Sequence, residues 1–277
     1  MQSFLEIFDL ANGTTRTVWK SAAVFEAPNW DPDGQSFLIN GDGRLWRIGI
    51  DGSGPWKVPT GFATACNNDH GISPDGSLIA LSHKTDGLST IYTAPAAGGT
   101  PTRISAKQPS YWHGFSPDGQ SIAYCCRRRP DQYDIAISPV TGGTETQLTG
   151  RDQFEGHNDG PDYSPDGAWI WFNSDRDGHA QIYRMRPDGS EVMRITHDRY
   201  VNWFPHPSPC GTHILYLAYP TGTRFHPRNL DVGLRLMSPD GTSLREVARF
   251  NGGQGTINVP CWAPDGSAFA YMRYGPS

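Results

Sequence analysis

The sequence predicts an all-β fold, a six-bladed β-propeller of four-stranded antiparallel blades. Two observations predict it: one turn motif recurs at regular intervals, and each interval holds four short strand patterns. Repeats of about 40–45 residues with four antiparallel strands are typical of propeller blades. The chain has 277 residues, and its repeats extend along its length, so we expect one propeller domain over residues 1–277.

The recurring motif is the turn SPDG or a close variant of it. Proline fixes φ at the first corner of such a turn, and glycine adopts the left-handed conformation at its end. A turn of this kind joins two short antiparallel strands as a bulged hairpin. The prolines lie 42, 43, 48, 44 and 55 residues apart in the six turns, which are Asp31–Gly34, Ser73–Gly76, Ser116–Gly119, Ser164–Gly167, Ser208–Gly211 and Ala263–Gly266.

The fourth unit shows the strand order after the turn most clearly. Ala168–Ser174 is apolar and aromatic, as a buried strand should be, and the turn Asp175–His179 follows it. Ala180–Arg186 then forms a third strand, and Glu191–Thr196 a fourth, beyond the turn Pro187–Ser190. Together with the strand before SPDG, these segments make a four-stranded blade.

The two ends of the chain are expected to complete one blade together. Too few residues follow the sixth turn to form the outer strands of its blade, and Ser3–Leu10 and Thr15–Lys20 have strand patterns that supply them. The ring is therefore predicted to close by pairing of N-terminal strands (about residues 3–20) with C-terminal strands (about residues 258–274). A further SPDG at Ser238–Gly241 follows a long loop, Tyr219–Asp231, and fits the third turn of the fifth blade.

Composition excludes several classes of partner. The formal net charge of −5 gives no general attraction to nucleic acid, and no apolar run approaches the roughly 18 residues that span a bilayer. The five cysteines have no metal-binding spacing, and the N-terminus lacks the basic and apolar regions of a signal peptide. We therefore expect a cytoplasmic monomer, or a periplasmic one if a signal peptide has been removed.

One segment resembles a known family repeat. Residues Tyr163–Thr196 read YSPDGAWIWFNSDRDGHAQIYRMRPDGSEVMRIT, which resembles the repeat of the TolB-like six-bladed propellers. The resemblance implies the propeller fold over the whole chain, while similar propellers occur in Tol proteins, in pectin-oligomer lyases and beside prolyl oligopeptidase hydrolase domains. The sequence shows neither the α/β domain that precedes the TolB propeller nor a G-x-S-x-G nucleophile motif.

The inner strands are expected to gather polar side chains at the central channel. Residues three to seven places before each turn should lie at the channel mouth, opposite the turns, and the third position is proline except at His70 and His113. The predicted ligand-binding residues of this funnel are Asp69, His70, His113, His157, Asp159 and His206, with Asn67, Asn68, Tyr111, Glu155, Trp203 and Asn258 around them.

Three consecutive arginines, Arg127, Arg128 and Arg129, follow the second strand of the third blade on the same face. Their guanidinium groups could clamp a carboxylate, a phosphate or a uronic acid, or they could form a solvated loop. The HPR sequence in the loop of the fifth blade is either a lid on the funnel or a surface decoration.

Two functions remain open from the sequence. The first is a non-catalytic module whose funnel binds a small polar or acidic ligand or a protein segment. The second is a metal-assisted enzyme, a lyase or hydrolase of uronate oligosaccharides, with a divalent metal held by His70, His113, His157 and nearby carboxylates. The resemblance to the lyases implies this second reading, and the sequence alone requires no cofactor.

Overall fold

The computed structural model describes residues 1–150 and 156–276. Over these residues it consists of β-strands joined by turns. Six antiparallel sheets follow one another along the chain, and the inner strands of successive sheets contact each other around a ring. This arrangement confirms the predicted six-bladed propeller. No helix that could cross a bilayer occurs in the described part of the chain.

The strands follow the predicted order, with each blade running from its innermost to its outermost strand. The chain opens with two strands of the closing blade, β1 (Gln2–Asp9) and β2 (Thr14–Ser21). The first complete blade contains β3 (Phe25–Trp30), β4 (Ser36–Gly41), β5 (Arg44–Gly49) and β6 (Trp56–Lys57). The second contains β7 (Cys66–Ile72), β8 (Leu78–Thr85), β9 (Leu88–Pro95) and β10 (Thr102–Arg103).

The remaining blades repeat this pattern. The third contains β11 (Ser110–Phe115), β12 (Ser121–Arg129), β13 (Gln132–Pro139) and β14 (Thr146–Gln147). The fourth contains β15 (Asn158–Tyr163), β16 (Ile170–Ser174), β17 (Gln181–Met185) and β18 (Met193–Arg194). The fifth contains β19 (Val201–Pro207), β20 (Ile214–Tyr219), β21 (Arg228–Met237) and β22 (Arg245–Gly253), so its long hairpin loop is shorter than predicted.

The ring closes as predicted, through strands from both ends of the chain. Strand β23 (Ala268–Gly275) pairs with β1, and β1 pairs with β2. The innermost segment of this blade is not a continuous strand: it joins β23 through a single bridge between Trp262 and Phe269. The amide of Met272 donates to Thr256 O, and that of Ala270 donates to Cys261 O. The inner segment from Thr256 to Cys261 therefore lies opposite only the short stretch from Ala270 to Met272 in β23, and it bulges.

The inner strands of the five complete blades each carry a bulge just before the SPDG-type turn. The bulge frees backbone amides, which bond to side chains of the preceding blade: Phe204 N donates to Asn173 Oδ1 at 3.1 Å, and Trp112 N to Ser82 Oγ at 2.9 Å. Phe204 has a φ of 55°, which is uncommon for a residue with a side chain. A bulge re-aims the side chains of its strand, so these bulges decide which inner-strand residues face the channel.

Candidate functional site

Side chains from all six blades line a cavity of about 720 Å³ at the channel mouth. We call it the funnel cavity. Its walls come from the ends of the inner strands that lie away from the SPDG-type turns, as predicted. Five of the residues predicted from the sequence line it: Asp69, His113, Arg127, His157 and Asp159. Four others do not: His70, Arg128, Arg129 and His206.

Asp159 is the centre of the polar cluster in the cavity. Its carboxylate lies 3.1 Å from His113 Nε2, 3.5 Å from His157 Nε2 and 3.6 Å from His226 Nε2. Gly160 N also donates to Asp159 Oδ1, at 2.8 Å. Burial raises the pKa of Asp159, but the hydrogen bond of His113 and the charges of His113 and His157 outweigh it and hold that pKa well below its usual value. Asp159 is therefore ionised at neutral pH.

His113 is buried and hydrogen-bonded on both sides of its ring. Its Nδ1 lies 3.3 Å from Asn258 O, and its Nε2 faces Asp159. Because a carbonyl oxygen only accepts, Nδ1 must carry a proton, and an ionised Asp159 favours a second proton on Nε2. Burial lowers the pKa of His113, but Asp159 outweighs burial and the pKa is raised. When His113 is protonated, the two residues form an ion pair whose side chains are 2% and 10% exposed.

Two further imidazoles, those of His157 and His226, flank Asp159. The His157 ring stacks on Tyr133 with centroids 4.3 Å apart, and the His226 ring packs against Trp203 at 4.5 Å. Both ring nitrogens of His157, and Nδ1 of His226, have no hydrogen-bond partner among the described residues. Burial lowers the pKa of His226 to about 4, so this ring is neutral at pH 7.

His157, Asp159 and His226 form a group that could hold a metal ion. One ligand atom from each lies within 4.8 Å of the others. Two neutral imidazoles and one carboxylate suit a divalent transition metal, and the unpaired ring nitrogens fit that use. The predicted ligand set was His70, His113, His157 and nearby carboxylates. The structure gathers His157 with one such carboxylate, Asp159, and with His226, which was not predicted as a ligand.

His70 lies between the first two blades, away from the funnel cavity. It is completely buried, and its Nε2 is 3.3 Å from Leu38 O in β4. Burial lowers the pKa of His70 to about 4. The bulge between Cys66 and His70 turns this side chain towards the neighbouring blade. The expectation that it reaches the channel mouth with His113 and His157 was therefore wrong.

His206 is also committed to the protein interior. Its Nδ1 lies 2.9 Å from Asp162 Oδ2, and its Nε2 lies 2.7 Å from Ile257 O. These contacts tie the inner strands of the fourth and fifth blades to the closing segment. Burial raises the pKa of Asp162, against the opposing effect of His206. With both ring nitrogens occupied, His206 has none left for a ligand.

The three consecutive arginines separate into different environments. Arg127 lines the funnel cavity, and its guanidinium lies 5.7 Å from the centre of the Tyr133 ring. Arg128 is ion-paired with Glu145 and donates to Ser110 Oγ at 2.7 Å, and Arg129 donates to Gly150 O at 2.6 Å. Successive side chains of a strand point to opposite faces, so Arg127 and Arg128 could not line one cavity.

The side of the cavity formed by the first two blades is acidic. Asp69 accepts from Asn258 Nδ2 at 2.5 Å and from Asn67 Nδ2 at 2.6 Å. Burial raises the pKa of Asp69 to about 6, and it raises that of Glu26 to about 7 although Arg228 opposes the shift. Arg228 forms an ion pair with Glu26 at 2.7 Å.

Sequence reasoning did not select Glu26, His226 and Arg228 for the site. Glu26 stands five places before its turn, the same position that Asp159 occupies in the fourth blade, so the repeat register could have identified it. His226 and Arg228 belong to the HPR sequence at the β20–β21 connection, which was expected to be either a lid or a decoration. They line the cavity, as a lid would. Glu155, also expected at the funnel, lies outside the described residues.

Comparison with known proteins agrees with the fold. The family model of the TolB beta propeller domain matches residues 109–237. An uncharacterized protein of Agrobacterium fabrum is 52% identical over 279 residues, which cover 100% of this chain and 94% of that protein. A solved structure from Agrobacterium tumefaciens, provisionally named TolB, is 51% identical with a TM-score of 0.96, over 100% of this chain and 99% of that one.

More distant structures share the fold alone. TolB from Acinetobacter baumannii is 18% identical with a TM-score of 0.69, over 91% of this chain and 64% of that one. An oligogalacturonate lyase in complex with manganese is 14% identical with a TM-score of 0.56, over 90% of this chain and 74% of that one. From the repeats, the closed ring of six blades and the full-length relatives, the chain belongs to the TolB-like β-propeller family.

Proposed function

We propose that this protein is a binding module whose funnel cavity takes a small polar ligand. The observation that carries the proposal is a cavity of about 720 Å³ at which polar atoms converge that have no hydrogen-bond partner within residues 1–150 and 156–276. Cavities of roughly 300–1,000 Å³ with a few convergent polar groups are typical of small-molecule sites. Buried polar atoms normally have hydrogen-bond partners, so the unpaired atoms of His157 and Asn68 favour a bound molecule here.

The walls of the cavity favour a small enclosed ligand over a long protein segment. The β20–β21 connection lies over the mouth, where Phe225 contacts the His157 ring at 5.6 Å. Arg228 holds the same connection to Glu26 in the first blade. A ligand enclosed under this loop would be shielded from water and would contact several blades at once. A protein segment bound at the funnel remains the alternative partner, and we expect it to enter only by its end.

A thermal-shift screen tests this function. We expect at least one short peptide, neutral sugar or uronate to raise the Tm by several degrees, because a ligand at 100 times its Kd stabilises a protein by about 2.7 kcal/mol. His113→Gln, which removes the ion pair at the cavity floor, should abolish the shift. The matched control is His197→Gln at an exposed position, which should keep it. Equal shifts in His113→Gln and the unmutated protein would place the ligand elsewhere.

The second candidate function is a metal-assisted lyase or hydrolase of uronate oligosaccharides. The group of His157, Asp159 and His226 favours it, because two imidazoles and a carboxylate suit a catalytic divalent metal. Such a metal would polarise a substrate oxygen, while Arg127 would orient a carboxylate of the sugar. His113, which faces Asp159 from the other side, would hold that carboxylate in place.

Metal binding can be tested without any activity assay. We expect Mn²⁺ to raise the Tm of the unmutated protein and to leave His226→Ala unshifted, with His197→Gln as the control that retains the shift. Absence of a shift with Mn²⁺, Zn²⁺ and Ca²⁺ would remove this second function and leave the binding module.

A further inference from the structure

We propose that the ligand of the funnel cavity is zwitterionic, as a short peptide is: its ammonium group lies between Glu26 and Asp69, and its carboxylate lies at Arg127. This inference rests on the proposed function and adds the chemical class of the ligand. The evidence comes from the two ends of the cavity and from the ring that lies between them.

The first observation is an acidic end that lacks enough positive charge. Glu26 and Asp69 are each 6% exposed, and they line the cavity from adjacent blades. The charge of Asp69 raises the pKa of Glu26, so the two carboxylates are close enough to repel each other. Arg228 forms an ion pair with Glu26, whereas Asp69 has hydrogen bonds from the neutral amides of Asn67 and Asn258 and only the more distant charge of His113 to oppose its burial. Burying such a charge is unfavourable, and an ammonium ion beside it would offset that cost.

The second observation is a set of donors without acceptors. Asn68 lines the cavity, is 3% exposed, and has no partner for its Nδ2 among the described residues. The guanidinium of Arg127 has neither a hydrogen bond nor an ion pair to any residue of the described ranges, apart from its position beside the Tyr133 ring. Amide and guanidinium donors call for carbonyl or carboxylate oxygens. A peptide supplies both, since it has a chain of carbonyls and one terminal carboxylate.

Tyr111 connects the two ends of the cavity. Burial is the main cause that raises the pKa of Tyr111 to about 12. The charge of Asp69 contributes to this rise and that of Arg127 opposes it, so the phenol group lies within the electrostatic reach of both. Tyr111 itself lines the cavity. A ligand lying along this ring would therefore reach Asp69 with one end and Arg127 with the other.

The balance of charge argues against a purely anionic ligand. Carboxylates outnumber cationic groups in the lining, which contains Glu26, Asp69, Asp131, Asp159 and Asp175 against Arg127, Arg228 and His113. An anionic sugar would gain from Arg127 but would meet the unpaired charge of Asp69. A zwitterion of suitable length satisfies both ends, and like-charge contact excludes ligands that carry only negative groups.

Calorimetric titration with three forms of one peptide tests the inference. The probes are Ala-Ala-Ala, its N-acetylated form and its C-terminal amide, titrated at pH 7.5. We expect each blocked peptide to bind at least tenfold more weakly than the free one. Asp69→Asn should weaken binding of the free peptide at least tenfold and leave binding of the acetylated peptide unchanged. Arg127→Gln should weaken binding of the free peptide at least tenfold and leave binding of the amidated peptide unchanged. Arg245→Gln, at an exposed position of β22, is the matched control and should bind all three as the unmutated protein does.

The outcomes separate this inference from the proposed function. Equal binding of the three peptides, or equal loss of all three in Asp69→Asn, would overturn the zwitterion. Binding of galacturonate or of a diamine that is lost in His113→Gln, with no binding of Ala-Ala-Ala, would also overturn it while the binding function stands. If no peptide, sugar or amine binds, both fail. Melting curves of each variant establish that it is folded.

Discussion

The pKa values of the buried residues His113 and His70 shift in opposite directions because their neighbouring groups differ. His113 and His70 are both buried, but only His113 has a carboxylate at its ring, 3.1 Å away. The pKa of His113 is therefore raised, whereas burial alone lowers that of His70 to about 4. At the residue scale, a carboxylate at hydrogen-bond distance outweighs burial and sets the direction of the pKa shift of His113, whereas burial sets that of His70.

Replacing Asp159 should reverse the protonation of His113. Burial lowers the pKa of His113, and Asp159 is the main group that raises it. In Asp159→Asn we therefore expect the pKa of His113 to fall below its usual 6.5. Titration of the imidazole by NMR measures this. Asp131→Asn, which alters another carboxylate of the cavity lining, is the control and should leave the His113 titration where it is. An unchanged pKa in Asp159→Asn would show that the ion pair does not form.

His70 should make the protein less stable in mild acid. Its pKa is about 4 in the folded protein against a usual 6.5, so the unfolded chain takes up the proton first as the pH falls. The contribution of buried, neutral His70 to the unfolding free energy is therefore complete above pH 6.5 and is lost as the pH falls from 6.5 to 4. Relative to His70→Gln, we expect the unmutated protein to lose about 2 kcal/mol of unfolding free energy between pH 7 and pH 5.

Urea denaturation at several pH values measures this difference. Comparing the two proteins cancels the opposite contributions of Glu26 and Asp69, whose raised pKa values favour the folded state as the pH falls. His197→Gln, at an exposed position, should follow the unmutated protein at every pH. Parallel curves for His70→Gln and the unmutated protein would contradict the buried, neutral assignment.

The sequence predicts those side chains of the cavity that come from the repeated inner strands. Asp69, His113 and Asp159 follow from their positions before a turn, because inner strands share one path to the channel. His70 and His206 also lie on inner strands, but their ring nitrogens bond inside the protein, to Leu38 O and to Asp162 and Ile257 O. His226 could not be found this way: it arrives from a connection that has no counterpart in the other blades.

At the scale of elements, two features shape the site. Strand β12 alternates its faces, so Cys125 and Arg127 line the cavity while Arg128 is ion-paired with Glu145. The connection between β20 and β21 covers the mouth and brings in His226. Its far end is held by the ion pair of Arg228 with Glu26, which joins the fifth blade to the first.

Removing this ion pair should loosen the β20–β21 connection. In Arg228→Gln we expect amide hydrogen exchange in residues 221–226 to become roughly two- to fivefold faster, since a half-exposed ion pair contributes at most about 1 kcal/mol. Exchange mass spectrometry measures it. Arg249→Gln, which removes a cation of β22 that pairs with Asp231 and Glu246, should leave these amides unchanged. Equal exchange rates in both variants would mean that the ion pair of Arg228 with Glu26 does not stabilise the β20–β21 connection.

At the scale of the whole molecule, the ring is closed by strands from both ends of the chain. The pairing of β1 with β23 was predictable because the last unit lacks outer strands and the first residues supply them. The irregular inner segment of the closing blade was not predictable, since its bulge depends on contacts with the neighbouring blade. One such contact is the Trp262 ring nitrogen, which donates to His206 O at 2.9 Å.

Truncating the tryptophan at this closure should be costly. Trp262 is 7% exposed and packs edge-on against Phe269, so Trp262→Ala should lower the unfolding free energy by about 3–5 kcal/mol. Trp56, which is 55% exposed on β6, is the matched control, and Trp56→Ala should change stability by no more than about 0.5 kcal/mol. Denaturant unfolding compares them, and equal losses would mean that Trp262 does not anchor the ring.

The most direct measurement for the whole account is a crystal structure with the compound that gives the largest thermal shift. We expect its density in the funnel cavity, in contact with Asp69, Tyr111 and Arg127. The protein has another cavity of about 500 Å³ on the opposite face, beside Arg16 and the SPDG-type turns of the first and last blades. Density there, or at a blade edge, with the funnel cavity holding only water, would contradict the assignment of the funnel as the binding site.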